Sequence, residues 1–225
     1  MKIIRIWGRP NSECTMRILW AVVEAGLAHE LTLASAIMGP RGHVSKGGPP
    51  FGIVDTPEYR AMNPHGTVPT IADGDFVLWE SHGILAYIAL TYAPTLYGQD
   101  FGMFARATSW ISWLNENLVP PMATIQMHVN RLAPNLRDPK LAEAGRRDIA
   151  RPLRALNTHL AEQPFLAGDS FTIADIAGGP TLHRYMLFCP PDETYPHINT
   201  WHARLAVREG FRRHVMPRAL HIDPD

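Results

Sequence analysis

The pattern of apolar residues changes its period near residue 95, and that change constrains the fold more than any other feature of the chain. Before it, short β-rich runs alternate with helical ones; after it, strand signals all but vanish. Residues 2–7 form a β-rich run that ends at Gly8-Arg9-Pro10-Asn11, a strand passing into a loop. Over residues 14–25, Met16, Leu19, Trp20 and Val23 recur as one face of a helix does, and Gly26 supplies the stop. Leu31-Thr32-Leu33 is a second strand candidate. Residues 67–72 and 76–79 flank Asp73-Gly74-Asp75 and predict a β-hairpin, followed by a helix from about 82 to 93. In the second part, residues 101–118 predict a helix broken or kinked at Pro120-Pro121. Residues 140–161 predict another, with Leu141, Ala144, Ile149, Leu153 and Leu156 as its buried positions. Thr172 and Asp175, with apolar residues on either side, spell a capping box and hydrophobic staple, and residues 200–208 predict a further helix. The expected fold is α/β plus all-α: a βαβ-ββα domain over residues 1–94, a linker at 94–100, and an all-helical domain over 101–225.

Residues 35–58 hold five glycines and four prolines, too many breakers for a regular element. A loop of that length inside a compact domain is commonly functional or disordered.

Composition removes several functional classes. Basic and acidic residues balance at 21 each, so the chain lacks the long-range field of a nucleic-acid binder or a polybasic membrane-surface protein. Cys14 and Cys189 are the sole cysteines, which excludes a disulfide framework and fits a reducing compartment. The 11 histidines lack metal-ligand spacing, so no metal is expected. The uncharged stretch 81–99 contains Ser81, His82, Gly83, Thr91, Pro94 and Gln99, and predicts a buried helix and a turn rather than a membrane span. The first residues are charged and lack the apolar stretch of a secretory signal, so a cytoplasmic location is expected. Arg146, Arg147, Arg151 and Arg154 put charge on one side of a helix, facing solvent or a subunit contact.

Three constellations carry candidate chemistry, each beside a plainer reading. At the strand-to-helix turn Ser12 is a natural N-cap and Cys14 a small buried hydrophobe. The same place offers free N–H donors and the positive end of a helix dipole, which favour a thiolate, whether that of Cys14 or of a ligand. Pro69 inside the run Gly66-Thr67-Val68-Pro69-Thr70-Ile71 fits an edge strand. With a cis bond, Val68 would instead turn its backbone groups towards an extended ligand. Ser81 is a natural N-cap with Glu80 as favourable charge. Alternatively, the Ser81 hydroxyl and helix N–H groups hold a carboxylate while Glu80 takes an ammonium, a clamp for an amino acid's zwitterionic head.

In combination these segments resemble the cytosolic glutathione transferases, bacterial, serine-type and theta- or nu-like, over nearly the whole chain. The resemblance is carried by Trp7-Gly8-Arg9-Pro10-Asn11-Ser12, Arg17-Ile18-Leu19-Trp20 and Gly26-Leu27, by Phe51-Gly52 and Thr56-Pro57-Glu58-Tyr59, by residues 63–71 and by residues 73–81. In the second half Phe165-Leu166-Ala167-Gly168 and Thr172-Ile173-Ala174-Asp175 resemble that family's folding motif. The resemblance implies a thioredoxin-like glutathione-binding domain followed by a helical electrophile-binding and dimerisation domain. It also implies a homodimer and a detoxifying transferase that joins glutathione to apolar electrophiles. Thr67, Val68 and cis Pro69 would meet the cysteinyl unit, and Glu80 and Ser81 the γ-glutamyl end. Ser12 would donate to the glutathione sulfur. Trp110-Ile111-Ser112-Trp113-Leu114 resembles bacterial members whose helix lines the electrophile pocket, which implies Trp113 and Asn117 there.

Lowering a thiol pKa from about 8.5 by about two units takes roughly 2.7 kcal/mol of preference for the anion. A hydrogen bond to a charged acceptor supplies about 1.5–3 kcal/mol and the helix dipole about 0.3–1. Ser12 and the helix behind it are therefore sufficient without a general base. Bacterial members often carry Asn where Cys14 stands, and some classes use a cysteine at this turn to form mixed disulfides. Ser12 is favoured over Cys14, because alkylation needs a donor to the bound thiolate rather than a competing nucleophile. Two other readings remain: a glutathione-dependent thiol–disulfide oxidoreductase using Cys14, and a non-catalytic binding module. Arg41, His43 and Lys46 are within reach of the glycyl carboxylate but stay outside the core expectation.

Overall fold

The computed structural model describes residues 3–36, 52–98, 100–189 and 195–217. Its first half is a four-stranded sheet with helices. Strand β1 (Ile3–Gly8) leads through α1 (Glu13–Glu24) to β2 (Ala28–Leu33). A 3-10 turn (Ile53–Asp55) and α2 (Pro57–Met62) follow, then the hairpin β3 (Thr70–Asp73) and β4 (Phe76–Trp79), and then α3 (Ser81–Tyr92). The strand order is β2-β1-β3-β4, with β1 parallel to β2 and antiparallel to β3. Strand β3 is therefore internal. The expectation that Pro69 marks an edge strand is overturned: Pro69 precedes the strand, joined to Val68 by a cis peptide bond, so no ladder donor is lost.

The second half is helical. Where a linker was expected, residues 94–97 make a short helix α4 (Pro94–Tyr97) whose Leu96 is buried. Helix α5 (Phe101–Asn117) stops just before the proline pair, and α6 (Val119–Gln126) takes both prolines in its first turn, where their missing N–H costs nothing. A π-helical turn (Met127–Arg131) and a 3-10 turn (Pro134–Leu136) lead to α7 (Pro139–Glu162), α8 (Ile173–Phe188), α9 (Pro196–Ala206) and α10 (Glu209–His214).

Helix α7 corrects part of the expected buried stripe. Ile149, Leu153 and Leu156 are buried, but Leu141 is 46% exposed and Ala144 only half-buried. The stripe runs instead through Ala142 and Gly145. A Cβ on Gly145 would lie 3.0 Å from the Pro121 carbonyl and 2.9 Å from Ile125, so the small residue is what lets α6 approach. The exposed apolar Leu141 shows why period alone misplaced the stripe by one position.

Both halves share one core. It runs from Ile4, Ile6 and Ile71 of the sheet through Trp20 and Ile88 to Leu114, Leu153, Ile176, Trp201 and Phe211. Trp20 is its hinge pin, fully buried, edge-on to Phe211 at 5.0 Å and beside Phe171 at 5.6 Å. Gly179 of α8 meets its ring so closely that a Cβ there would lie 2.6 Å from the indole. The change of architecture near residue 95 is thus not a break in packing. It leaves α1, with its N-terminus, clamped between the sheet and α8.

The capping box of α8 is present: the Thr172 hydroxyl accepts from Ala174 N, and Asp175 accepts from Thr172 N at 2.9 Å. Asp175 also accepts from Leu166 N and from the Trp201 indole at 2.8 Å, fastening the preceding loop and α9 to one carboxylate.

Candidate active site

Strand register assembles the site. Trp7 pairs with Thr70, and Thr70 with Trp79. One step beyond that row lie the β1–α1 turn, Pro69 and Glu80, side by side at one end of the sheet. Two strand spacings span about 10 Å, the length of an extended tripeptide.

At the turn, Ser12 is the N-cap residue of α1, with φ −87° and ψ 126°. Its N–H donates to Arg9 O at 2.9 Å and its carbonyl accepts from Met16 N at 2.8 Å. Its hydroxyl makes no capping hydrogen bond, so the plain capping reading of this serine is wrong. Cys14 is half-buried, with the Arg17 guanidinium 3.8 Å from its Sγ.

The segment before β3 is held from below. Tyr59 Oη donates to Thr67 O at 2.7 Å, and Asn63 Nδ2 donates to the same carbonyl at 2.9 Å. Both side chains also meet Thr70 Oγ1. Thr67 is thereby spent as an anchor. The backbone groups of Val68 have no hydrogen-bond partner among the described residues. Tyr59 and Asn63 escaped the sequence reading as positioning residues, although a buried tyrosine needs a partner for its hydroxyl.

At the third segment Glu80, not Ser81, is the N-cap of α3, and Ser81 is its first helical residue. Glu80 has φ +69° and ψ 116°, the one positive φ outside glycine among the described residues. That backbone is costly for a residue with a Cβ, and Glu80 is exposed. Ser81 is buried, and its Oγ accepts from Arg17 at 3.5 Å.

Charge concentrates where α1 meets α8. Arg184 Nη1 pairs with Glu13 at 2.8 Å, and its Nη2 donates to Asn11 O at 2.6 Å. Thr181 donates to the other Glu13 oxygen at 2.7 Å. Burial pushes the Glu13 carboxyl up, but Arg184 and Arg17 outweigh it and hold the group below its usual range. Arg17 is buried, and its hydrogen-bond partners among the described residues are Cys14, Ser81, Thr181 at 3.4 Å and His82 at 3.2 Å. Burial, then Arg17, lowers the His82 pKa to about 4, so His82 is neutral and accepts from the guanidinium.

The comparisons with known proteins agree on one family. Residues 11–91 match the profile of the glutathione S-transferase N-terminal domain, and residues 139–204 that of the C-terminal domain. The glutathione S-transferase GstB of Escherichia coli K12 is 30% identical over 217 residues, covering 95% of this chain and 98% of that protein. The chain belongs to the glutathione S-transferase family. Glutathione S-transferase 3 of Zea mays is 28% identical, with 96% of this chain and 94% of that protein covered. Among solved structures, the theta-class glutathione S-transferase of Xanthomonas axonopodis pv. citri with glutathione bound superposes with a TM-score of 0.84 at 35% identity, covering 96% of this chain and 98% of that one.

Within this glutathione transferase fold the structure brings Ser12, Cys14, Thr67, Val68, Pro69, Glu80 and Ser81 together. It does not bring Trp113 and Asn117 to them. Asn117 Nδ2 donates to Trp113 O on its own helix, and Trp113 packs on Trp110 at 5.2 Å. Both residues line a groove of about 410 Å³ with Pro121, Asp148, Arg151 and Pro152, between α5 and α7. The helical-half residues recorded against the β1–α1 turn are Thr181, Arg184 and, through Arg184, Gln126 at 3.4 Å. An arginine on the predominantly apolar helix α8 was the available signal for them.

Arg41, His43 and Lys46, like Phe51, lie outside the described residues. No helix among the described residues is long and apolar enough to cross a membrane. Among those residues no cluster of three or more His, Cys, Asp or Glu has metal-binding geometry.

Proposed function

We propose that this glutathione transferase binds glutathione along the sheet end and ionises its thiol beside Ser12 for attack on an electrophilic carbon. The observation carrying this reading is the row formed by the β1–α1 turn, Val68 and the Glu80–Ser81 corner, with the Ser12 hydroxyl uncommitted to its helix. Val68 pairs its backbone with the cysteinyl unit, as one strand would with another. Ser81 and the α3 N–H groups hold the γ-glutamyl carboxylate, and Glu80 holds the ammonium. The thiol proton leaves to solvent. The thiolate then forms the C–S bond as the leaving group departs with its electron pair. Holding both reactants makes the encounter effectively unimolecular.

Glutathione binding measured by calorimetry tests the clamp. Glu80→Gln and Ser81→Ala should each weaken binding about tenfold, one charge-assisted contact apiece. Full affinity in both variants contradicts it.

Cys14 supports a second reading, thiol–disulfide exchange, because Arg17 sits 3.8 Å from its sulfur at a helix N-terminus. Cys14→Ser should leave conjugation intact and abolish any exchange with glutathione disulfide. The chain is further taken to act as a cytoplasmic homodimer. Exposed Phe76 and Val77 on edge strand β4 and Phe101, 82% exposed at the start of α5, support a subunit contact. Two free thiols support the compartment.

A further inference from the structure

The β1–α1 turn sets a physical problem for a thiolate at Ser12. The N-terminus of a helix is worth roughly half a positive charge, and a bare carboxylate in its first turn would cancel that. Glu13 is such a carboxylate: it is the first residue of α1 and directly follows Ser12. Left alone, it would oppose a second anion at the same turn.

Arg184 of α8 meets it there. Its guanidinium is buried, and its hydrogen bonds fall on either side of Ser12. Nη2 donates to the carbonyl of Asn11, the residue before, at 2.6 Å. Nη1 pairs with the carboxylate of Glu13, the residue after, at 2.8 Å. Gln126 Oε1 of α6 also accepts from Nη1, at 3.4 Å. Thr181, one turn back along α8, donates to the second Glu13 oxygen at 2.7 Å, so both carboxylate oxygens are held by the helical half. Around this pair the other charged groups recorded among the described residues are cations: Arg17 of α1, Arg9 of the turn and Arg131 of the π turn. Cys14 is the remaining titratable group of the turn, and His82 of α3, against Arg17, is neutral. A buried ion pair is weak evidence for stability, because its desolvation offsets its attraction. Its placement, joining the two halves and bracketing one serine, points to the site instead.

We propose that Arg184 is a positioning residue for the transfer: it grips the turn on both sides of Ser12 and cancels the charge of Glu13, leaving the α1 N-terminus to the glutathione sulfur. It acts through Asn11 and Glu13 rather than on the sulfur itself. This rests on the transferase reading above.

Ultraviolet titration of the thiolate in the glutathione complex, with the full chain and its variants, tests the proposal, because charge and simple bracing predict different signs. Arg184→Gln leaves Glu13 uncompensated and should raise the pKa of the bound thiol by about one unit. Glu13→Gln leaves Arg184 uncompensated and should lower it by about the same amount. The double variant should titrate close to the wild type, and Arg184→Lys, which keeps the charge, closer to it than Arg184→Gln. If Arg184→Gln does not fold, the neutral and nearly isosteric Glu13→Gln still gives the deciding sign. A rise in Glu13→Gln would mean that the pair only braces the turn, and no movement in either single variant would mean that its charges do not reach the sulfur. Both results overturn the inference, while a depressed thiol pKa in the wild type keeps the transferase reading. A wild-type complex with no depressed thiol pKa would bring down both.

Discussion

Removing the Ser12 hydroxyl costs a bound thiolate one hydrogen bond to an anion, about 1.5–3 kcal/mol, or about one to two units of thiol pKa. Ser12→Ala should therefore lower kcat/KM below neutrality about 10- to 100-fold and move the acid limb of the pH–rate profile up by the same interval. Glu80 makes a different kind of prediction. Its φ of +69° is a conformation that glycine adopts freely. Glu80→Gly should raise stability by up to about 1 kcal/mol, seen as a higher urea midpoint, while glutathione affinity falls. Loss of both together would show that the strained backbone is not held for the ligand. Most of the residues at the sheet end were legible in the sequence, because Val68-Pro69 and Glu80-Ser81 announce themselves by local chemistry. Glu13 and Arg184 were not: they are 171 positions apart and meet only because α1 and α8 pack.

Asp175 ties three elements with a single carboxylate. Asp175→Ala removes the capping box of α8 and leaves the buried donors of Leu166, Thr172 and Trp201 without their acceptor. A loss of about 3 kcal/mol or more in urea unfolding is expected. A loss below about 1 kcal/mol would mean that the carboxylate caps its helix and does nothing more. Gly145→Ala gains about 1 kcal/mol of helix propensity but drives a methyl into the Pro121 carbonyl. The expected balance is a destabilisation of about 1–2 kcal/mol, set by backbone that cannot yield. The capping box and the hairpin were readable because their signals lie within a few residues of one another. Helices α6 and α10 and the π turn were not, since their short runs carry no period of their own and are shaped by packing.

For the whole molecule, pH dependence follows from one buried and two half-buried histidines. Burial lowers His82 to about 4, and burial with His202 and Arg184 lowers His183 to about 4; His202 is lowered as well. An unfolded histidine titrates near about 6.5, so between about 6.5 and 4 the unfolded chain binds more protons than the folded one. Stability is therefore full above that window and falls as pH drops through it. Asp175 works the other way. Burial raises it to about 6 against its hydrogen bonds, so the folded state holds its proton where the unfolded state does not. One carboxyl offsets part of the effect of three histidines, and the melting temperature should fall on acidification. His183→Gln should flatten that slope; an unchanged slope would place the titration elsewhere. The shared core explains why the two halves should melt together, a property that the break in sequence pattern near residue 95 conceals.

The account turns on a thiolate stabilised at Ser12, and an ultraviolet pH titration of the glutathione complex measures it most directly. A thiolate absorbance appearing well below the free thiol's pKa, lost in Ser12→Ala and kept in Cys14→Ser, is the predicted result. Loss in Cys14→Ser with retention in Ser12→Ala would contradict it and give the turn to thiol–disulfide chemistry.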